Sequence, residues 1–187
     1  MLRIVRKTKS LLAFLRHATG QEEFYALLRV QHPSLRFREG FSLRGPERFS
    51  PGPDNYFEQN VYVNCGEEWA GGRGYFRSGK RCFVGASTVI YAAGGVELGD
   101  DVGIGVHCII VSHQQDFARN KPSYMAQESI YSPVKIGNNV IINVGAVVLQ
   151  GVTIGDNAII GASAVVTRDV PANSVVMGVP ARVVRTC

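Results

Sequence analysis

Residues 136–170 read IGNNVIINVGAVVLQGVTIGDNAIIGASAVVTRDV, and a large aliphatic side chain returns there at every sixth position: Ile136, Ile142, Val148, Ile154, Ile160 and Val166. Four residues after each anchor stands a small or branched one: Val140, Ala146, Val152, Ala158, Ala164 and Val170. Leu98, Ile104 and Ile110 keep the same period in a second phase, and Val84 and Ile90 in a third. An amphipathic helix repeats near 3.6 residues and a half-buried strand at 2, so neither accounts for this spacing. A sandwich of short strands does not require it either. Hexapeptide repeats mark a parallel β-helix, in which short strands are joined by tight turns and three hexapeptides close a coil of about 18 residues. The anchor then points inward on each strand, and the small residue fills the corner beside it. Gly99-Asp100, Gly137-Asn138 and Gly155-Asp156 supply turn chemistry. Each coil buries its apolar face only by stacking on its neighbours.

Outward from the repeat, the chain changes character. Residues 1–50 hold ten Lys/Arg and four Asp/Glu, whereas residues 51–187 hold ten and eleven. The positive charge therefore belongs to the N-terminal segment. A nucleic-acid-binding body would carry a basic field on its folded surface, so no nucleic acid is expected as a partner. Leu2, Val5, Leu12 and Leu15 fall near helical spacing among Arg3, Arg6, Lys7 and Lys9, and Gln21–Leu28 forms a second helical stretch. Residues 1–16 read either as a basic helix in weak peripheral contact with an anionic membrane surface, or as a helix packed on its own domain or a neighbouring subunit. The expected division is a helical and loop segment over 1–54 and a β-helix over 55–187, with a protruding loop at 113–133 and a C-terminal tail. The longest apolar runs are five or six residues, far short of the roughly 20 of a membrane span. No secretory signal is apparent. Cys65, Cys82, Cys108 and Cys187 form no Cys-x-x-Cys pair, which excludes a zinc ribbon or thioredoxin motif and fits reduced thiols in a cytoplasmic protein.

Ile136–Val140, Gly151–Asn157, Val165–Pro171 and the closing Gly178–Arg185 (GVPARVVR) resemble the hexapeptide-repeat acyltransferases, and are most similar to the sugar O-acetyltransferases of the galactoside and maltose type. The resemblance runs from about Val96 to Arg185 and leaves residues 1–83 uncovered. It implies a mainly β chain: a left-handed parallel β-helix behind a short helical N-terminal segment. It also implies acetyl-CoA as cosubstrate and a cyclic homotrimer with clefts between subunits.

His113 ends the repeat strand of Ile110-Val-Ser-His113, and a polar insertion from Gln114 to Pro133 starts there. A rigid coil thus offers an imidazole at the root of a loop, a common place for function. In the resembled family the histidine at this place is the general base toward the acceptor hydroxyl, a role that suits an unperturbed pKa near 6.5. A base needs its ring oriented. Asp116 is the candidate, a backbone carbonyl would serve equally, and Glu128 is a weaker one. The resemblance places an oxyanion donor at the backbone of Val144, where Asn143 replaces a frequent glycine, and the pantetheine path near Ala162 and Thr167. Arg168, Arg182 and Arg185 suit the coenzyme phosphates, since guanidinium forks match phosphate oxygens. The family's acceptor-side asparagine aligns with Gly85.

His107 lies six residues before His113, whereas stacked ligands in such a coil stand about 18 apart. The gamma-type carbonic anhydrases share the fold but need three histidines for zinc. Only His107 and His113 lie within the repeats, so no metal is expected and His107 reads as an outward-facing residue. Cys108 occupies an inward small position and reads as core, which favours direct transfer over an acyl-enzyme. The reading is therefore an acetyltransferase acting on a hydroxyl of a small-molecule or saccharide acceptor, such as a precursor in polysaccharide biosynthesis. N-acetylation of an amino sugar and a non-catalytic scaffold are the alternatives.

Overall fold

The computed structural model describes residues 21–66, 74–116, 123 and 126–186. The expected helix over residues 1–16 lies outside them, as do Phe117, Arg119, Tyr124 and Cys187. Helix α1 (Gln21–Gln31) precedes a three-sided prism whose faces carry eight, six and five strands. The chain visits first, second and third face in constant rotation. In the fifth coil these strands are Ile141–Ile142, Val147–Val148 and Thr153–Ile154. The next turn brings Ile159–Ile160 parallel to and in register with Ile141–Ile142.

The six-residue period is the geometry of this rotation. No anchor from Ile136 to Val166 is more than 3% exposed, and no small partner from Val140 to Val170 more than 5%. Strands mostly two or three residues long are enough because the backbone of an inner coil pairs with the coils above and below. Turns close the coils through the left-handed region. On the edge between third and first faces it is adopted by Asp101, Asn139, Asn157 and Asn173, with φ from 53° to 60°. Asn and Asp tolerate this region best among residues with a side chain. Their neighbours also link coil to coil. Asp100 N–H donates to Asn138 Oδ1 at 2.9 Å, Asn138 N–H to Asp156 Oδ1 at 2.6 Å, and Asn157 Nδ2 to Asn173 Oδ1 at 2.9 Å.

The coils begin earlier than the expected boundary at 54/55. Arg36–Phe37, Ser42–Arg44 and Phe49–Ser50 form a first coil, in parallel register with Tyr56–Phe57, Tyr62–Asn64 and Phe76–Ser78. Aromatic side chains hide the period there. Phe41, Phe49, Phe57 and Phe76 fill the interior, each at most 1% exposed, where the later coils use Ile, Val and Ala. Helix α1 covers this aromatic end with Phe24 and Leu28, and the Tyr25 hydroxyl donates to the Phe41 carbonyl. An uncovered end coil would expose its core, so a cap is required.

Glycine is decisive where the backbone of one coil comes close to that of the next. A Cβ on Gly105 would lie 2.8 Å from Val144 N and 3.0 Å from the Asn143 carbonyl carbon, both backbone atoms of the next coil. Gly105→Ala is therefore expected to destabilise the protein by about 1–3 kcal/mol, seen as a lowered midpoint in thermal unfolding. An unchanged midpoint would mean that the two coils can part at no cost.

Candidate active site

Ser112 fixes the edge between second and third faces in the fourth coil. Its buried hydroxyl donates to the Tyr91 carbonyl at 3.0 Å and accepts from Gly94 N–H at 2.9 Å. From this anchored point the chain leaves the prism as a two-stranded ribbon, His113–Gln115 antiparallel to Ser129–Tyr131, with His113 opposite Tyr131. Directly opposed residues on such a ribbon share a face. The His113 ring accordingly lies near-parallel to Tyr131, at 6.1 Å and 21°, and meets Tyr91 of the preceding coil at 5.1 Å and 41°.

Packing between these rings buries His113 Nδ1, which has no hydrogen-bond partner among the described residues. Burial of Nδ1 leaves Nε2 as the nitrogen a substrate can reach. The same burial penalises the imidazolium and holds the His113 pKa below the ordinary 6.5. The side chain is thus a neutral imidazole at neutral pH, half-buried and held by aromatic faces.

Asp116 does not orient this ring through Nδ1. Side chains alternate across a strand, so a residue three positions from His113 projects to the other side of the ribbon. The backbone N–H of Asp116 extends the ladder by donating to the Glu128 carbonyl at 2.8 Å. Glu128 does not reach Nδ1 either. Tyr91 and Tyr131 take the orienting place, and the motif reading missed both. Their signal in the sequence is faint: an outward position beside the anchor Ile90, and the return arm of an insertion.

The other candidates divide between edges. Thr167 and Arg168 are exposed on the edge that carries His113, two coils further toward the C-terminal end. Val144 and Ala162 stack one coil apart on the edge between first and second faces. Neither backbone N–H there has an acceptor among the described residues. Asn143 supports this corner by donating from Nδ2 to the Ile160 carbonyl at 2.7 Å. Arg182 and Arg185 are exposed on the last strand, Arg182–Thr186, which closes the first face antiparallel to Ser174–Met177. A whole face of the prism separates His113 from Val144.

His107 is exposed on the first-to-second edge, at a left-handed turn with φ 55°, and Gly85 occupies the same edge. Cys108 is fully buried, its Sγ lies 3.1 Å from the Asn143 carbonyl, and burial raises its pKa. A thiol so placed is a poor nucleophile. Among the described residues no group of three or more His, Cys, Asp and Glu could hold a metal ion, and no helix is long and apolar enough to cross a membrane.

Two family models match the chain: Bacterial transferase hexapeptide (six repeats) over residues 133–168, and Hexapeptide repeat of succinyl-transferase over 79–110. Nodulation protein L of Rhizobium meliloti is 45% identical over 107 residues, 56% of each chain. Galactoside O-acetyltransferase of Escherichia coli is 36% identical over 134 residues, 68% of this chain and 65% of that one. A hexapeptide-repeat-containing acetyltransferase of Vibrio cholerae, solved in complex with acetyl-CoA, superimposes with a TM-score of 0.60. It is 25% identical, over 98% of this chain and 87% of the other. The chain spans 56% of the length of the nodulation protein and as little as 23% of other curated relatives.

Proposed function

We propose that this chain, a hexapeptide-repeat acyltransferase by its family-model matches and relatives, moves an acetyl group from acetyl-CoA to a hydroxyl of a saccharide or saccharide precursor. The observation that carries this reading is the half-buried His113, its Nδ1 buried without a hydrogen-bond partner among the described residues, at the root of a ribbon leaving a rigid coil. The likeness to an acetyltransferase solved with acetyl-CoA supports the coenzyme.

The residues present fit that coenzyme. Val144 and Ala162 offer unpaired backbone N–H groups on an exposed edge, and exposed Arg168, Arg182 and Arg185 at the C-terminal end suit its phosphates. Acetyl-CoA, when bound, supplies the thioester carbonyl. His113 Nε2 takes the proton from the acceptor hydroxyl as the oxygen attacks that carbonyl carbon. The Val144 N–H donates to the oxyanion that develops, a pre-aimed dipole in the sense of an oxyanion hole. His113 then returns its proton to the departing thiolate, leaving the base neutral again.

His113 and Val144 can serve one carbonyl only if they come from different copies, because they occupy different edges. A cyclic homotrimer meets this requirement with three equal clefts. An apolar stripe supports it: Phe83, Val106, Ile109, Ile141 and Val144 are 40–48% exposed along the first-to-second edge.

Thiol release from acetyl-CoA, followed over sugars, nucleotide sugars and amino sugars, tests the reading. Turnover with hydroxyl acceptors is expected. Turnover confined to amines replaces O- by N-acetylation, and neither turnover nor coenzyme binding overturns the transferase reading. The pH profile carries a further expectation. The base must be neutral, and burial depresses its pKa, so kcat/KM should hold level through pH 7. It should fall only as pH drops below the ordinary 6.5. A limb centred above 6.5 would mean that another group sets it.

A further inference from the structure

The proposed chemistry uses one imidazole and leaves a row of rings beside it unexplained. Tyr62, Tyr91, His113 and Tyr131 follow one another along the second face and its edge with the third. Tyr62 belongs to the second coil, Tyr91 to the third and His113 to the fourth. Tyr62 and Tyr91 are 6.0 Å apart at 61°, and Tyr91 and His113 5.1 Å apart. Each step is comparable with the length of one pyranose ring. All three tyrosines are half-buried.

The face itself does not call for aromatic residues here. The outward position of Tyr62 is taken in later coils by Val89, Ile109 and Val147, and that of Tyr91 by Val111. On these columns rings occur only at Tyr62 in the second coil and Tyr91 in the third, on the N-terminal side of the coil that carries His113. Tyr62 is also held in place. Its hydroxyl accepts from Asn64 Nδ2 at 3.1 Å, while Asn64, 2% exposed, accepts from Gly66 N–H at 2.8 Å. A ring fixed beforehand loses little freedom on binding. Aromatic faces offer broad, rigid contact to the C–H faces of sugars, and phenol hydroxyls add hydrogen bonds. Thr167 and Arg168 lie along the same edge on the opposite side of His113.

We infer that Tyr91 and Tyr62 form a two-ring acceptor platform: Tyr91 seats the sugar that reacts at His113, and Tyr62 seats the next ring. The acceptor is then a disaccharide or longer saccharide, which meets His113 from the N-terminal coils while the coenzyme meets it from the C-terminal ones. This rests on the reading of His113 as the base of acetyl transfer to a sugar. Tyr62 acts as a specificity-determining residue, remote from the reacting atoms.

The test compares matched probes of one and two rings: glucose with maltose, galactose with lactose, and N-acetylglucosamine with chitobiose. In the wild type, kcat/KM for at least one pair should favour the disaccharide by about tenfold, the worth of one good aromatic contact. Tyr62→Ala should abolish that advantage and leave the single ring within about twofold, whereas Tyr62→Phe should keep it. Tyr91→Ala should weaken both members of the pair. Equal loss on both probes in Tyr62→Ala, or no preference in the wild type, overturns the platform. Saturation-transfer NMR with the same sugars separates this inference from the transferase reading. Sugar binding that depends on Tyr62 without any coenzyme binding keeps the platform and removes the transferase. Acetyl transfer to non-sugar acceptors alone, with no sugar bound, does the reverse.

Discussion

His113→Ala is expected to lower the turnover of acetyl-CoA with its acceptor by about 10²–10⁴, the usual contribution of a positioned base, with coenzyme affinity unchanged. The ring stands on the second-to-third edge of the fourth coil. The N–H groups of Val144 and Ala162 stand on another edge, so removing the imidazole does not disturb them. His113→Asn should fare no better, because an amide of similar size restores bulk between Tyr91 and Tyr131 but not basicity. Asp116→Asn should stay within about threefold of wild type, since a carboxylate on the far side of the ribbon does not hold Nδ1. The decisive readout pairs single-turnover acetyl transfer with coenzyme binding by calorimetry. Loss of transfer with binding intact assigns the base to His113. Intact transfer in His113→Ala would require another base near Tyr91 and Tyr131. A loss equal in Asp116→Asn would restore the carboxylate to the role that the ribbon geometry denies it.

The prism was legible in the sequence because its signal is local and repeated. Ile136 through Val166 return at a spacing that only a coil of short strands satisfies, and all six are buried. The place of His113 at the root of a ribbon was legible for the opposite reason: the period breaks at Ser112, and a break in a rigid solenoid is where something protrudes. The first coil was not legible. Phe41, Phe49, Phe57 and Phe76 occupy inward positions with a residue class that the aliphatic pattern does not register, and the chain between Asn64 and Phe76 interrupts the count. The partners of His113 were hidden as well. Tyr91 comes from one coil earlier and Tyr131 from the far arm of the insertion, and only the folded register brings them to one ring. Asp116 suggested itself by nearness in sequence, but strand alternation turns it away. Val144 and His113 belong to one site in the resemblance, yet the rotation of the chain puts them on different edges. That difference makes a second copy a requirement of the proposed chemistry.

Phe41→Ala is expected to cost about 3–5 kcal/mol, the range for deleting a fully enclosed aromatic ring. Phe41 is 0% exposed. Its ring stacks on Phe37 at 5.2 Å and meets Phe57 at 5.3 Å and Phe49 at 6.3 Å. Tyr25 of α1 lies against it and donates to its carbonyl. Deletion therefore opens a cavity at the point where the helix closes the prism. A solenoid is held by contacts between successive coils, so the loss should first appear locally. Amide exchange should quicken in α1 and in Ser42–Arg44 before it changes in Ile142 or Ile160, far along the stack. The thermal midpoint should fall by about 10 °C, at roughly 2–4 °C per kcal/mol for a chain of this size. Uniform loss of protection along the chain would show instead that the prism melts as one unit. The local outcome has a functional consequence. Ser42–Arg44 pairs directly with Tyr62–Asn64, so fraying there loosens the backbone that carries Tyr62 while His113, two coils on, keeps its support. At temperatures below global unfolding, Phe41→Ala should lose the preference for two-ring acceptors before it loses acetyl transfer itself. The order of those two losses on warming separates a cap that merely stabilises the chain from one that also holds the acceptor side in place.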